Sequence, residues 1–214
     1  MDEKDIKDKI LTGAHDLFLK YGIRSVSMDD IARQLAVSKK TIYQYFADKD
    51  DIVTQVAKMH LEDDRCEFSK IVADAKNALD ELVRMSVHLR RRTQDLNPAL
   101  LFDLQKFHSK AWSEWTEYRK SFVHTQIVRN LKQGMEEGLF RSDLHPDILA
   151  TMRIEMVQLA FNTDVFNPQQ FKLYEVHSQL FDHFIYGLLT EKGRKLFEKY
   201  KQQPNNLELI PYQA

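Results

Sequence analysis

The sequence predicts an all-α fold, and three observations support this prediction. Apolar residues recur at spacings of three and four along most of the 214 residues, which is the period of an amphipathic helix. No stretch alternates apolar and polar residues for long enough to indicate a β-strand. Six glycines and five prolines leave few breaks between the predicted helices.

The first two helices can be placed from their apolar stripes and their end signals. The first is predicted over residues 4–21, and Gly22 lies where a left-handed C-cap would end it. Ser27 can cap a second helix over residues 28–35. The apolar stripe of the first helix contains Ile6, Ile10, Ala14, Leu17, Phe18 and Tyr21.

A third short helix, residues 39–45, follows the second after only three residues. Both short helices have an apolar face, and the small Ala32 would let them cross closely. This is the pattern of a helix-turn-helix, whose second helix enters the DNA major groove. Two short amphipathic helices beside a basic turn also occur in other all-α proteins, so spacing alone leaves that alternative open. The facing apolar residues are Ile31, Ala32, Leu35, Val37, Ile42 and Phe46.

The candidate DNA contacts are hydroxyl groups, lysines and tyrosines around the third helix. Hydroxyls and free helix N–H groups suit phosphate oxygens, and lysines suit phosphates or guanine edges. Tyrosines offer a rigid ring with a polar tip that can reach the backbone, and a cation that opens the next helix can share another phosphate. The predicted DNA-binding residues are Ser27, Ser38, Lys39, Lys40, Thr41, Tyr43, Tyr45 and Lys49.

The stretch "YGIRSVSMDDIARQLAVSKKTIYQYFADKDDI", residues 21–52, resembles the DNA-binding domain of TetR-family transcriptional regulators. The resemblance covers about the first 55 residues of the chain. The family often has glycine where this chain has Ala36 and Lys40. An alanine at positive φ costs about 1 kcal/mol unless the turn is reshaped, and a lysine early in the recognition helix can add a DNA contact. The matching positions are Gly22, Ser27, Ile31, Ala32, Val37, Ser38, Thr41, Tyr43, Phe46 and Lys49.

The remaining chain is predicted to be helical almost throughout. Asn97-Pro98 and Asn167-Pro168 both suggest an N-cap followed by proline at the first helical position. Six further helices follow, which gives about nine in total, and a last helical piece covers Glu191–Tyr200. The six are predicted over residues 49–73, 75–94, 98–110, 113–137, 146–163 and 168–189.

Three segments are predicted from this organisation and from the resemblance. Residues 1–48 form the helix-turn-helix DNA-binding domain. The resemblance implies that residues 49–200 form a helical domain for ligand binding and dimerisation. Residues 201–214 contain two prolines and two asparagines and are predicted to be irregular.

An aromatic region in the middle of the chain, residues 98–139, is the candidate effector site together with the nearby His88. Most such residues are core in helical proteins, but ligand pockets are also mostly apolar with a few polar groups. We therefore expect a small, largely apolar effector. The predicted ligand-binding residues are His88, Phe102, Phe107, His108, Trp112, Trp115, Tyr118 and Phe122.

The resemblance implies a homodimer in which helices 146–163 and 168–189 pair across a two-fold axis. Both helices are apolar over much of their circumference. The alternative, that these faces are buried inside one subunit, stays open because amphipathic width cannot decide it. The apolar residues are Ile154, Val157, Leu159, Ala160, Phe161, Leu180, Phe181, Phe184, Ile185, Leu188 and Leu189.

Composition limits where a DNA-binding surface can lie and indicates the cellular compartment. Residues 1–50 contain nine Lys/Arg and nine Asp/Glu, so any basic surface must be local. One cysteine excludes an internal disulfide and fits a reducing compartment. Without a membrane-length apolar stretch or a signal-peptide pattern, we expect a cytoplasmic protein that does not enter the membrane.

No sequence motif indicates catalysis. The chain has no HExxH, no His/Cys cluster with zinc spacing, no G-x-S-x-G and no phosphate-binding glycine loop. We predict no metal, no cofactor and no enzymatic activity. The resemblance implies a dimeric repressor that binds a palindromic operator in double-stranded DNA and is released by its effector. The alternatives are an effector-independent DNA-binding protein on the same scaffold and an all-α enzyme.

Overall fold

The computed structural model describes residues 3–93, 97 and 99–202. These residues form eleven α-helices and one π-helical segment and no β-strand, which confirms the all-α prediction. None of the described helices is both long and apolar enough to cross a lipid bilayer. Pro98 and most of the predicted irregular tail lie outside the described residues. The helices are α1 Glu3–Tyr21, α2 Met28–Leu35, α3 Lys39–Tyr45, α4 Lys49–Asp74, α5 Ala78–Thr93, α6 Leu100–Phe107, α7 Ser109–Tyr118, the π-helical segment Arg119–Val123, α8 His124–Glu136, α9 Pro146–Ala160, α10 Leu173–Leu188 and α11 Glu191–Lys201.

The chain forms two compact units, and each contains two segments of the sequence. The first unit comprises Met1–Asp64 and Asp95–Glu117, and the second comprises Arg65–Gln94 and Tyr118–Ala214. The first unit therefore adds the first part of α4, all of α6 and most of α7 to the three helices of the predicted DNA-binding domain. The functional boundary after residue 48 stays a prediction.

The core of the first unit forms from the apolar faces predicted for α1, α2 and α3. Gly22 ends α1 with a φ of 80°, which confirms the predicted left-handed C-cap. Its N–H donates to the Phe18 carbonyl at 2.9 Å. The core residues are Ile10, Leu11, Ala14, Phe18, Ile23, Val26, Ile31, Ala32, Ile42, Phe46, Ile52, Val53, Val56, Leu104 and Ala111.

The turn between α2 and α3 is left-handed at Ala36, where φ is 53° and ψ is 42°. Among the described residues it is the only non-glycine with positive φ. The Ala36 N–H donates to the Arg33 carbonyl at 3.3 Å, and the Val37 N–H donates to the Ala32 carbonyl at 3.0 Å. The chain therefore keeps the tight turn with alanine and accepts the steric strain of its Cβ.

Replacing Ala36 with glycine should stabilise the protein. Glycine has no Cβ to clash in the left-handed region, and part of this gain is offset by its greater freedom in the unfolded chain. We expect the free energy of unfolding, measured by urea denaturation, to rise by about 0.5–1 kcal/mol. Ala57→Gly, inside α4, should lower it by about 1 kcal/mol. A loss of stability in Ala36→Gly would contradict the presence of strain in this turn.

The core of the second unit is centred on α5, α8 and α10. Gly138, with a φ of 67°, follows α8 in the left-handed conformation expected at a helix end. The N–H groups of Leu139 and Phe140 then both donate to the Gly134 carbonyl at 2.9 Å. The core residues are Ala78, Leu79, Leu82, Val83, Val87, Leu131, Leu139, Phe140, Phe181, Phe184, Ile185, Leu188, Leu189, Phe197 and Tyr200.

Two helix starts differ clearly from their predictions. The helix expected over 113–137 begins at Ser109 and contains the π-helical segment. The helix expected over 168–189 begins at Leu173. The Asn167 carbonyl accepts hydrogen bonds from the N–H groups of Gln170 and Phe171, both at 2.9 Å. Asn-Pro therefore opens a separate turn here instead of the first turn of a helix.

Candidate nucleic-acid interface and effector region

The start of α3 presents polar side chains on a helix that is anchored by its buried face. Ser38 is the N-cap, and its Oγ accepts a hydrogen bond from the Thr41 N–H at 2.9 Å. The two hydroxyl groups share a second hydrogen bond of 2.8 Å. Ile42 is fully buried in the first-unit core, whereas Ser38, Lys39 and Lys40 are exposed. This arrangement leaves the polar end of α3 free to meet a phosphate backbone.

The two adjacent lysines differ in their surroundings. Lys39 Nζ lies 2.9 Å from Asp29 Oδ2. This hydrogen bond and the carboxylate charge raise the pKa of Lys39. Lys40 is exposed, and no carboxylate of the described residues forms an ion pair with it. A phosphate would therefore compete with Asp29 for Lys39 but not for Lys40.

The two candidate tyrosines also differ. Tyr43 is exposed on α3, with half of its surface open to solvent. Tyr45 is partly buried and packs against the first-unit core. Tyr43 therefore has the greater freedom to reach a DNA backbone.

Ser27 and Lys49 have internal partners in this structure. Ser27 forms a capping box with Asp30: its N–H and Oγ donate to Asp30 Oδ2 at 2.9 and 2.6 Å, and its Oγ accepts from the Asp30 N–H. Lys49 Nζ donates to the Ile23 carbonyl at 2.6 Å, and partial burial lowers the pKa of Lys49. Both residues support the fold here, and their contacts with DNA stay predictions.

Five of the predicted effector residues lie in the first unit. Phe102 and Phe107 are exposed, and Lys106 Nζ lies 5.2 and 5.5 Å from their ring centroids. His108 Nδ1 lies 2.8 Å from an oxygen of Asp50. The remaining two residues are Trp112, which packs against the first-unit core, and Trp115, which is partly buried.

The other three, His88, Tyr118 and Phe122, lie in the second unit. The rings of Tyr118 and Phe122 stack with centroids 5.3 Å apart. Arg65 lies over both rings, at 5.0 and 4.5 Å. The predicted set therefore divides between two compact units, and its role in effector binding stays a prediction.

Sequence reasoning missed a buried basic cluster in the second unit, formed by Arg90, Arg153 and His177. Arg153, on α9, is 8% exposed, and its guanidinium lies 5.3 and 5.6 Å from the ring centroids of Phe181 and Phe184. One of its terminal nitrogens is buried without a hydrogen-bond partner among the described residues. Burial lowers the pKa of Arg153 to about 10.

His177, on α10, is 2% exposed. Neither ring nitrogen has a hydrogen-bond partner among the described residues, and the ring meets Phe161 edge to face at 5.2 Å. Burial, reinforced by the charges of Arg153 and Arg90, lowers the pKa of His177 to about 3. The imidazole is therefore neutral near pH 7.

A signal for this cluster was present in the sequence. Arg153 takes an apolar position of α9, with Ala150 three residues before it and Ile154 directly after it. His177 lies four residues before Phe181 on α10 and shares its buried face. A polar group at a core position is the informative exception in an amphipathic pattern.

The comparisons with known proteins agree with this architecture. Residues 10–56 match the family model for bacterial regulatory proteins of the tetR family. An uncharacterised HTH-type transcriptional regulator of Bacillus subtilis, YvaF, is 25% identical over 169 residues, which cover 78% of this chain and 88% of the relative. The HTH-type transcriptional repressor KstR2 of Mycobacterium tuberculosis is 24% identical over 146 residues, 67% of this chain and 73% of the repressor.

A solved structure supports the fold over most of the chain. A TetR-family regulator of Agrobacterium tumefaciens superposes on this chain with a TM-score of 0.74 at 14% sequence identity. The superposition covers 88% of this chain and 100% of the Agrobacterium chain. The helix-turn-helix and these relatives define a DNA-binding transcriptional regulator, not an enzyme. Residues 10–56 therefore contain a DNA-binding region of the TetR family, and the relatives resemble the chain over most of its length.

Proposed function

We propose that this regulator is a homodimeric repressor that binds a palindromic operator and is released by a small, largely apolar effector. The observation that carries the proposal is the polar end of α3, which is exposed while Ile42 anchors the helix in the core. The name of the relative KstR2 supports repression. A cytoplasmic location belongs to the same proposal, since the operator is chromosomal DNA.

The α3 helix of each subunit would enter the major groove of one half-site. The lysines and hydroxyl groups at its start would fix its register on the phosphates and reach base edges. A two-fold symmetric dimer then requires an operator with two inverted half-sites.

An exposed apolar stripe on α9 supports dimerisation. Ile148, Met152 and Leu159 lie on one side of the helix, and 63%, 41% and 40% of their surfaces are exposed in the single chain. Apolar side chains aligned in this way suit a symmetric partner better than water. On α10, Gly187 is exposed with open space around its Cα, which would let a second helix approach closely.

The sequence did not identify which residues of these helices face outward. Phe184 and Leu188, expected at the dimer interface, are 2% and 1% exposed inside the single chain. Their side chains belong to the second-unit core. The proposed dimer therefore uses the opposite side of α10 and the stripe on α9.

The effector would act through α4, which begins four residues after α3 and contains residues of both compact units. A ligand that favours one placement of α4 would change the spacing of the two α3 helices on DNA. Such coupling requires that the ligand bind the DNA-released conformation more tightly, since equal affinity for both states shifts nothing.

Selection of DNA from a random library by the purified protein tests the core of this proposal. We expect enrichment of a palindromic sequence whose half-sites are related by two-fold symmetry. Enrichment of a single asymmetric site would contradict a dimeric operator complex. A palindrome that no small molecule releases would instead favour the effector-independent alternative.

Lys40→Ala should weaken operator binding more than Lys39→Ala, because Lys39 must first leave Asp29. Removing one phosphate contact should lower the slope of log affinity against log salt by about 0.9 per half-site. Fluorescence anisotropy with the selected operator at several salt concentrations measures both quantities. Lys199→Ala, exposed on α11, is the control and should change neither. Full affinity and an unchanged slope in Lys40→Ala would exclude its phosphate contact.

A further inference from the structure

Among the described residues, no carboxylate matches the buried positive charge of Arg153. A guanidinium with a pKa of about 10 remains protonated at neutral pH. Burying such a charge without a carboxylate is costly, because its hydration is lost and no ion pair replaces it. No carboxylate of the described residues forms an ion pair with Arg153, and burial is the only cause of its pKa shift.

Two acidic residues on the same helices form ion pairs with other basic residues. Glu155, two residues after Arg153 on α9, is mostly exposed and lies 3.7 Å from Arg119. Asp182, on α10, lies 3.5 Å from Lys201 Nζ, and the charge of Arg90 also acts on its carboxylate. Neither acid neutralises Arg153.

The polar groups of the cluster come from three helices, α5, α9 and α10. Arg90, from α5, donates to Ser178 Oγ at 2.9 Å, and Ser178 donates in turn to the Tyr174 carbonyl at 2.8 Å. The charges of Arg90 and Arg153 both act on His177. Arg90 of α5 and Arg153 of α9 therefore bring positive charge close to the neutral imidazole of His177 on α10.

The walls around these polar groups are aromatic. Phe181 and Phe184 lie beneath the Arg153 guanidinium, and Phe161 meets the His177 ring. Aromatic walls with a few convergent polar groups are typical of a small-molecule site. Their chemistry suits a ligand with an anionic head and an apolar body.

We infer that the effector is an amphipathic carboxylate, whose head is held by Arg153 and His177 and whose apolar body lies against Phe161, Phe181 and Phe184. This inference rests on the proposed function, since it assumes that the regulator has an effector. The guanidinium can donate two parallel hydrogen bonds to the carboxylate. The neutral imidazole of His177 donates one further hydrogen bond to the same group.

The burial of this cluster suggests how ligand binding could cause release of the operator. Since Arg153 and His177 are almost fully buried, a carboxylate can enter only when the packing of α9 against α10 loosens. The ligand would then bind a conformation other than the closed one, as an effector requires.

Thermal unfolding of the full-length protein with octanoate, decanoate and phenylacetate, each compared with its alcohol, tests this site. We expect at least one carboxylate to raise the unfolding midpoint more than its alcohol. Arg153→Met should weaken its binding, measured by calorimetry, about tenfold or more. His177→Leu should weaken it less, and Arg141→Met, at an exposed arginine of the second unit, should leave it unchanged.

A second result does not depend on the choice of ligand. Arg153→Met should raise or maintain the unfolding midpoint without ligand, because an unpaired buried charge is replaced by an apolar side chain of similar length. A clearly lower midpoint would mean that Arg153 is held by internal partners and would overturn the inference. Carboxylates that stabilise the parent protein no more than Arg153→Met would overturn it as well.

Measurements of operator affinity in the parent protein and in Arg153→Met distinguish a failure of this inference from a failure of the proposed function. Carboxylate binding that depends on Arg153 but leaves operator affinity unchanged would support the site and contradict its role in release. A compound that releases the operator equally from the parent protein and from Arg153→Met would support the repressor and overturn the carboxylate site.

Discussion

Replacing Met152 with glutamate should convert the proposed dimer into folded monomers. Met152 is the middle residue of the exposed α9 stripe, with Ile148 four residues before it and Leu159 seven residues after it. By two-fold symmetry the change would place two unpaired carboxylates in the interface. We expect a cost of about 4 kcal/mol or more, which weakens dimerisation about a thousandfold. Sedimentation at micromolar concentration measures the change.

Two further variants separate the interface from the core. Tyr21→Glu alters an exposed apolar residue of α1, far from α9 in the sequence, and should leave the dimer intact. Phe184→Glu buries a charge in the core of the second unit and should unfold that unit before any monomer can be observed. A Met152→Glu variant that remains dimeric at all concentrations would show that this stripe lies outside the interface.

The DNA-binding end was predicted well because its signals are local. The bounds of α2 and α3 are those predicted from the sequence. Ser27 and Ser38 each cap the helix that follows, through hydrogen bonds that span only three residues. Such contacts depend little on the rest of the fold, so a short stretch of sequence is enough to predict them.

The second unit was harder to predict because its helices are apolar on more than one side. Periodicity places Leu159 and Phe184 alike on apolar faces, yet Leu159 is exposed and Phe184 is buried. Which face meets the core depends on packing between helices that are distant in sequence, and a single helix does not encode it. The strained Ala36 turn could be anticipated only from the resemblance, because alanine carries no local signal for positive φ.

The buried cluster of Arg153 and His177 was not predicted from the sequence, for a related reason. The prediction followed aromatic density between Phe102 and Phe122, and these residues divide between the two compact units. Arg153 and His177 lie 24 residues apart in the sequence. Both groups are buried in the folded second unit, where no described carboxylate pairs with Arg153, and the spacing of the two residues in the sequence does not indicate this.

His177 should make the protein sensitive to mild acid. The imidazole has a pKa of about 3 in the folded chain and about 6.5 in the unfolded chain. Between these values the unfolded state binds the extra proton, so stability is complete above about pH 6.5 and falls as the pH decreases toward 3. At pH 4.5 the loss attributable to His177 should reach about 2–3 kcal/mol. Urea unfolding at a series of pH values measures it.

His177→Leu isolates this effect from the titration of the carboxylates. The variant should lose much less stability than the parent protein between pH 7 and pH 4.5, because leucine cannot take up a proton in the unfolded chain. His183→Leu, at an exposed position of α10, should retain the dependence of the parent protein. Arg153 and Arg90 hold the His177 ring neutral together with burial. Parallel stability curves for His177→Leu and the parent protein would therefore mean that the buried imidazole accepts a proton despite both arginines.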